Sequence, residues 1–406
     1  MNLRLFASCA PGIEPLLAQE ISELLPADRG VSVPTDITAT AGGVLFAGDQ
    51  LTAGHALVGL GLAARVLVRI DEFPVRHFNE LEKRLTRIDW HHWLLPSVPV
   101  IVRATSKKSK LYHSGAIEQR VQQQVEKSLG HTGRASETPI TLQTTEEETP
   151  GLVVRLEHDL CTISLDISGT PLHRRGYRKN PFRAPLREDL ARALVVASGW
   201  DGQTAVVDPC CGSGTILIEA AAWASRIPPG LLRSFAMVAT PLADRQWLQG
   251  IKRERLVETR AVAPKFLGAD CDPQALSSAR ENWDVWSGSV TAAATLLPRE
   301  LNAIYDTAPR IVCPQIEWVQ QDVRKLEWED DPKTILTNPP WGDRIQARQH
   351  LNSIYQRLGE LRRTRGVRLA LITSQRELAY KTGIRLRSAF LTDAGGVKAN
   401  VFVEGT

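Results

Sequence analysis

The sequence predicts an α/β chain in two parts: an α+β region first, then a doubly wound parallel sheet in the second half. Three observations carry this. The β-branched run Val206-Val207 ends in Asp208 and meets a turn, Pro209-Cys210-Cys211-Gly212-Ser213-Gly214, before an apolar helix from Ile216 to Trp223. The same arrangement recurs downstream, where strand-like runs end in Asp270, near Asp322 and at Asn338. Ahead of residue 170, short strands and helices alternate without such turns. The turn after Asp208 suits a ligand. Gly212 and Gly214 lack a Cβ, so the backbone can take positive φ and come close to a bound molecule. The helix start presents free N–H groups. In doubly wound sheets, ligands lie beyond the carboxyl ends of the strands.

The 406 residues exceed one typical domain; at about 150 residues per domain they suggest two or three. Apolar residues make up 43% and charged residues 23%, as in ordinary globular proteins. No apolar run reaches the roughly 18 residues of a membrane span. The N-terminus MNLRLFASCAPGIEP, broken by Pro11 and Gly12, makes a poor signal peptide. Cys9, Cys161, Cys210, Cys211, Cys271 and Cys313 show no C-x-x-C spacing, which argues against zinc and against a disulfide framework. Free thiols and a cytoplasmic location are expected. The net charge of +4 is a weak pointer to nucleic acid, so its distribution matters more.

In chain order, Leu3–Ser8 reads as a strand, 12–21 as a helix and 42–46 as a turn entering a strand. A helix over 51–62 precedes a strand over 65–70. A helix at 77–87, a strand at 98–105, a helix at 116–129 and a hairpin of strands at 151–157 and 160–167 follow. The expected divisions are 1–50, 51–167, a basic linker at 168–190, and 191–406. Two basic stretches stand out. Lys107, Lys108 and Lys110, with Tyr112 and hydroxyls, come just before a helix and could cradle an anion; the alternative is an exposed loop. From His173 to Arg187 the chain carries Arg174, Arg175, Arg178, Lys179, Arg183 and Arg187 and no acid until Glu188, with Tyr177 and Phe182 interleaved. These cations either contact phosphates or form a solvated linker.

The turn after Asp208 lacks the third glycine of G-x-G-x-x-G and the lysine of a P-loop. As D-P-x-C-G-S-G-T it resembles motif I of class I S-adenosylmethionine (SAM) methyltransferases. The resemblance implies a Rossmann-like, seven-stranded sheet and SAM as cofactor, held by Asp208, Pro209, Cys210, Gly212, Gly214 and Thr215, with Asn338 a further cofactor contact. An acid closing the second strand can accept from both ribose hydroxyls. Asp270 is the first candidate and Asp272 the alternative; one of them could instead cap the helix 273–282. Asp322, with Val323 beside it, follows the strand 316–320 and should face the adenine amino group. The segment 287–315 is longer than the family pattern and contains ATLLPRELNAIYD, an expected extra helix or flap. A helix at 347–362, a strand at 367–373, a helix at 376–381 and a final strand pair at 385–387 and 397–403 complete the fold.

The strand 334–337 delivers Asn338-Pro339-Pro340-Trp341 at its carboxyl end. The pattern resembles that of enzymes that methylate a nitrogen conjugated to a ring or carbonyl. Such an amine has a delocalised lone pair and is a poor nucleophile. The Asn338 oxygen and the Pro339 carbonyl can accept its two N–H groups and turn the lone pair toward the methyl donor. Prolines fix φ and hold the carbonyl in place. Trp341 offers a face for an extruded base, where stacking is worth roughly 1–3 kcal/mol. No metal is expected, because a sulfonium is already activated.

FASCAPGIEPLL, GGVLF, SKKSKLYHSGAI, LHRRGYR and APLREDLA together resemble the THUMP-containing RNA methyltransferases, in particular the RlmL-like group. The resemblance implies an RNA-binding THUMP region and methyl transfer to a guanine N2 of 23S rRNA. RlmL of some bacteria is fused to a second methyltransferase, and this chain is expected to lack that half. The alternative is a tRNA guanine-N2 methyltransferase of the same family. A DNA adenine or protein glutamine methyltransferase could share N-P-P-W but not the first half. A non-catalytic RNA-binding factor should show decayed motifs, and these are intact. A monomer with no membrane partner is expected.

Overall fold

In the computed structural model the described residues are 1–24, 34–130, 145–178, 185–260, 264–295, 313–328, 334–341 and 348–405. The first six elements are β1 (Leu3–Ser8), α1 (Glu14–Ser22), β2 (Thr35–Thr40), β3 (Gly43–Gly48), α2 (Gln50–Gly59) and β4 (Arg65–Pro74). They form a βαββαβ unit, and the division expected at residue 50 falls inside it. Asp49 starts α2 by accepting from the Thr52 backbone N–H at 2.9 Å, while the Thr52 hydroxyl accepts from the Asp49 N–H at 3.3 Å. β2 is a strand the sequence pattern missed. Its TDITAT run offers only Ile37, half-buried against the core, and exposed Ala39 as apolar residues, and sits at the sheet edge.

α3 (Phe78–Leu85), β5 (Ile101–Lys107), α4 (Ser114–Ser128), β6 (Gly151–Glu157) and β7 (Leu160–Asp166) follow. All seven strands join one sheet in the order β2-β3-β1-β4-β7-β6-β5. The pairing of β4 with β7 is antiparallel and fuses what the sequence presents as two pieces.

The second half holds α5 (Glu188–Ala197), β8 (Val206–Asp208), α6 (Thr215–Ala224), α7 (Arg245–Val257), β9 (Phe266–Asp270) and α8 (Pro273–Thr295). Then come β10 (Ile316–Gln320), β11 (Thr334–Thr337), α9 (Arg348–Arg365), β12 (Arg368–Thr373), α10 (Arg376–Lys381), β13 (Leu386–Asp393) and β14 (Lys398–Glu404). The sheet order is β10-β9-β8-β11-β12-β14-β13, parallel up to β12 and antiparallel beyond. The period of two along each strand builds both faces. Val206, Leu336, Ala370 and Ile372 enter the core beneath α5, α6 and α8. Val207, Ile335, Leu369 and Leu371 enter a second core beneath α9 and α10.

α8 is longer than the ten-residue helix expected. Ala279, Trp283, Trp286 and Val290 are buried at helical spacing, so the apolar stripe carries the helix on to Thr295. The rest of the expected flap lies outside the described residues, apart from 313–315. No helix among the described residues is long and apolar enough to cross a membrane.

Candidate active site

A cavity of about 320 Å³ opens at the carboxyl ends of β8, β9, β10 and β11. The chain leaves β8 toward β9 on one side, while β11 pairs on the other, so a crevice forms where the strand order reverses. Asp208, Pro209, Cys210, Gly212, Thr215, Asp270, Asp272, Asp322, Val323, Asn338 and Pro340 line it. Gly214 stands behind this wall as the residue that starts α6, at φ +81°. A Cβ on Gly214 would lie 2.7 Å from the ring of Trp318. Gly212 also has positive φ, +52°, but open space lies where its Cβ would be. The turn is braced by the Cys211 N–H to the Ala269 carbonyl at 2.9 Å and by the buried Asn282 side chain donating to the Ser213 carbonyl at 3.1 Å.

Asp270 bridges two turns: one carboxylate oxygen accepts from the Gly212 N–H and the other from the Asp272 N–H, both at 2.9 Å. Of the two roles left open for Asp272, the cap is made. Its carboxylate accepts from the Gln274 N–H at 2.9 Å at the head of α8. Asp322 accepts from Arg324 Nε through both oxygens, at 2.9 and 3.1 Å. The Arg324 hydrogen bond holds its carboxyl down to about 2, so Asp322 is an anionic acceptor across the physiological range.

Asp208 differs. Its Oδ1 accepts from the Thr337 hydroxyl at 2.7 Å and from the Cys210 N–H at 3.1 Å, while its Oδ2 is buried with no hydrogen-bond partner. Burial pushes the carboxyl from 3.8 up to about 7, against the pull of Thr337 and Cys210. Between those values the folded protein holds a proton that the unfolded chain has released. Stability therefore falls as pH rises from about 4 to about 7, and the loss is complete above that window. Asp208→Asn removes this effect. The variant's melting temperature should gain on the wild type by several degrees between pH 4.5 and pH 7.5, as followed by thermal denaturation. A gap that does not change with pH would show that Asp208 is ionised in the fold.

Asn338 and Pro340 face the cavity; Pro339 is buried outside its lining. Trp341 corrects an expectation. It is half-buried against both cores, and its indole Nε1–H donates to Asn338 Oδ1 at 2.8 Å. The edge of the ring is thus tied to Asn338, and the ring is not among the residues that line the cavity.

Residues 175–293 and 310–388, which hold the turn, the acids and Asn338, match the model of the RMKL-like methyltransferase domain. The second half of this chain is an RMKL-like methyltransferase domain. Residues 4–67 match the RlmL ferredoxin-like domain, in agreement with the βαββαβ unit. The chain is 31% identical over 417 residues to the ribosomal RNA large subunit methyltransferase K/L of Methylococcus capsulatus, covering 99% of this chain and 51% of that protein. It spans about half the length of the curated relatives it matches. A Clostridium difficile 630 protein described as a possible methylase is 28% identical, with a TM-score of 0.79 over 100% of this chain and 99% of that one. The SMU.472 structure, solved as a complex with SAH, shares the fold at 24% identity and a TM-score of 0.79, over 99% of this chain and 98% of that one.

The basic residues divide. Lys107, Lys108, Lys110 and Tyr112 are exposed where β5 leads to α4, with Lys107 3.8 Å from Glu157. Arg174 is exposed where the chain enters the methyltransferase domain. Arg175 is no phosphate contact: it is 3% exposed and bound to Glu219 and to the carbonyls of Leu172 and Gly61. Arg178 is also committed internally, to the Leu186 carbonyl at 3.0 Å, the Thr215 hydroxyl at 2.9 Å and Glu188 at 3.3 Å. Tyr177 is buried and Arg187 pairs with Asp189, so Arg175, Tyr177, Arg178 and Arg187 are packed structure rather than parts of a solvated linker. Lys179, Phe182 and Arg183 lie outside the described residues. The methyltransferase cavity also takes Pro185, Leu186, Cys271, His350 and Ile354, which the sequence reading missed. The turn-packing Trp318 was missed too. Its one signal was Gly268 in mid-strand, where a Cβ would lie 2.5 Å from the Trp318 ring.

Proposed function

We propose that this protein is a SAM-dependent RNA methyltransferase that places one methyl group on the exocyclic N2 of a guanine in 23S rRNA. In this reading the first half, as a THUMP-containing region, holds the RNA. One observation carries the proposal: a single cavity wall joins the glycine turn, the acids after three strands and Asn338. The residues fit the cofactor. Gly212 leaves open space beside the turn, Asp270 faces the cavity in position to accept from ribose hydroxyls, and Asp322 is an anionic acceptor for an adenine amino group. SAM, when bound there, supplies a methyl group on a positively charged sulfur. Asn338 Oδ1, at the cavity wall, accepts an N–H group of the guanine amine. That concentrates its lone pair on the nitrogen face turned toward the methyl donor. The amine lies in the shallow minor groove of paired RNA, so the base must be unpaired or flipped to reach the cavity. Exposed Lys107, Lys108, Lys110 and Arg174 attract the phosphates.

The test incubates the protein and labelled SAM with undermodified 23S rRNA, tRNA and DNA in parallel, followed by nucleoside mass spectrometry. N2-methylguanosine from 23S rRNA alone is expected. The same nucleoside from tRNA alone moves the assignment to the tRNA enzymes. Methyladenine, or no labelled nucleoside with folded protein, overturns the proposal.

A further inference from the structure

We propose that Trp341 is a positioning residue whose indole N–H fixes the carboxamide of Asn338 in one orientation. The inference deepens the methyl-transfer reading and rests on it. An asparagine amide can rotate by half a turn with little change of shape, exchanging an acceptor for a donor at the same place. A wrongly turned Asn338 would present N–H groups to an amine that itself needs acceptors. The indole N–H is donor only, so it selects the orientation in which Oδ1 faces it. The observed 2.8 Å contact is that pairing. Trp341 is itself held, half-buried against the cores on both faces of the sheet, so the donor is fixed from behind. A carboxamide oxygen accepts two hydrogen bonds. With one taken by Trp341, one remains for a substrate N–H. Phenylalanine or tyrosine at this position has an aromatic face but no ring N–H, so the device belongs to the tryptophan.

The test has two arms. The chain has ten tryptophans, and the indole 1H–15N resonance of Trp341 is assigned by its loss in Trp341→Phe. In the wild type it should lie downfield, as a hydrogen-bonded indole. It should move upfield in Asn338→Ala and stay downfield in Asn338→Asp, which keeps an acceptor. In the second arm, Trp341→Phe keeps a ring but loses the donor. Its kcat should fall about three- to tenfold with KM for RNA and SAH affinity nearly unchanged. Trp341→Ala also loses the packing that holds Asn338, so its kcat should fall further. A resonance identical in Asn338→Ala, Asn338→Asp and wild type would overturn the proposal, and so would full kcat in Trp341→Phe. If the wild type methylates no RNA, the function reading fails, and the resonances still decide whether the bond that fixes Asn338 exists.

Discussion

Asn338→Ala should lower kcat by about a hundredfold or more while SAH still binds with nearly wild-type affinity. The loss is in turnover because the acceptor matters most when the amine becomes tetrahedral. In the ground state the lone pair is delocalised and the N–H groups can be satisfied by water. As the methyl group transfers, positive charge builds on the nitrogen, and a fixed oxygen beside it is worth most then. The cofactor side of the cavity is built by Gly212, Asp270 and Asp322, whose hydrogen bonds run to Asp272 and Arg324 and not to Asn338. The truncation also strips Trp341 of its acceptor, at a stability cost of about 1 kcal/mol, so melting temperature and SAH binding must be measured on the same preparation. Asn338→Asp keeps acceptor oxygens and should lose less. A kcat within tenfold of wild type in Asn338→Ala would remove Asn338 from the chemistry.

Much of this was legible in the chain, because parallel strands write their ends plainly. Asp208, Asp270, Asp322 and Asn338 each follow a short apolar run, and strand ends converge on one edge of such a sheet. Pattern alone did not reveal what lies behind the site. Arg175 and Arg178 read as free cations because the sequence stretch holds no acid. Their partners, Glu219 and Glu188, come from helices packed against the stretch. Trp318 was hidden for the same reason: its contact with the turn is made across the fold. Asp322 was read as an acid facing adenine, and only the structure shows Arg324 folding back on it. β2 was missed because an edge strand with a single half-buried apolar residue, Ile37, leaves little period to read.

Glu219→Ala should be the most damaging substitution away from the cavity, destabilising the fold by about 3–5 kcal/mol. Glu219 is buried on α6, the helix that starts at the glycine turn. One oxygen accepts from Arg175 at 3.3 Å and the other from Arg192 at 2.8 Å. Burial opposes its ionisation, but the two guanidinium groups outweigh that and hold its carboxyl below the usual range. Arg175 reaches on to the Gly61 carbonyl between α2 and β4, so the pair also joins the first sheet to the methyltransferase domain. Removing Glu219 leaves two buried cations with no anion between them, the case in which breaking an ion pair costs most. Arg175→Ala should cost less, because Glu219 keeps Arg192. Chemical denaturation of both variants checks the order. On RNA, Arg175→Ala that remains folded should keep the wild-type dependence of affinity on salt, since that arginine touches no phosphate. Replacing Lys107, Lys108 and Lys110 together should weaken RNA binding and flatten that dependence, each lost phosphate contact removing about 0.7–0.9 from the slope of log affinity against log salt. A Glu219→Ala protein within about 1 kcal/mol of wild type, or an Arg175→Ala protein with a flattened salt slope, would return this stretch to the role of an exposed basic linker.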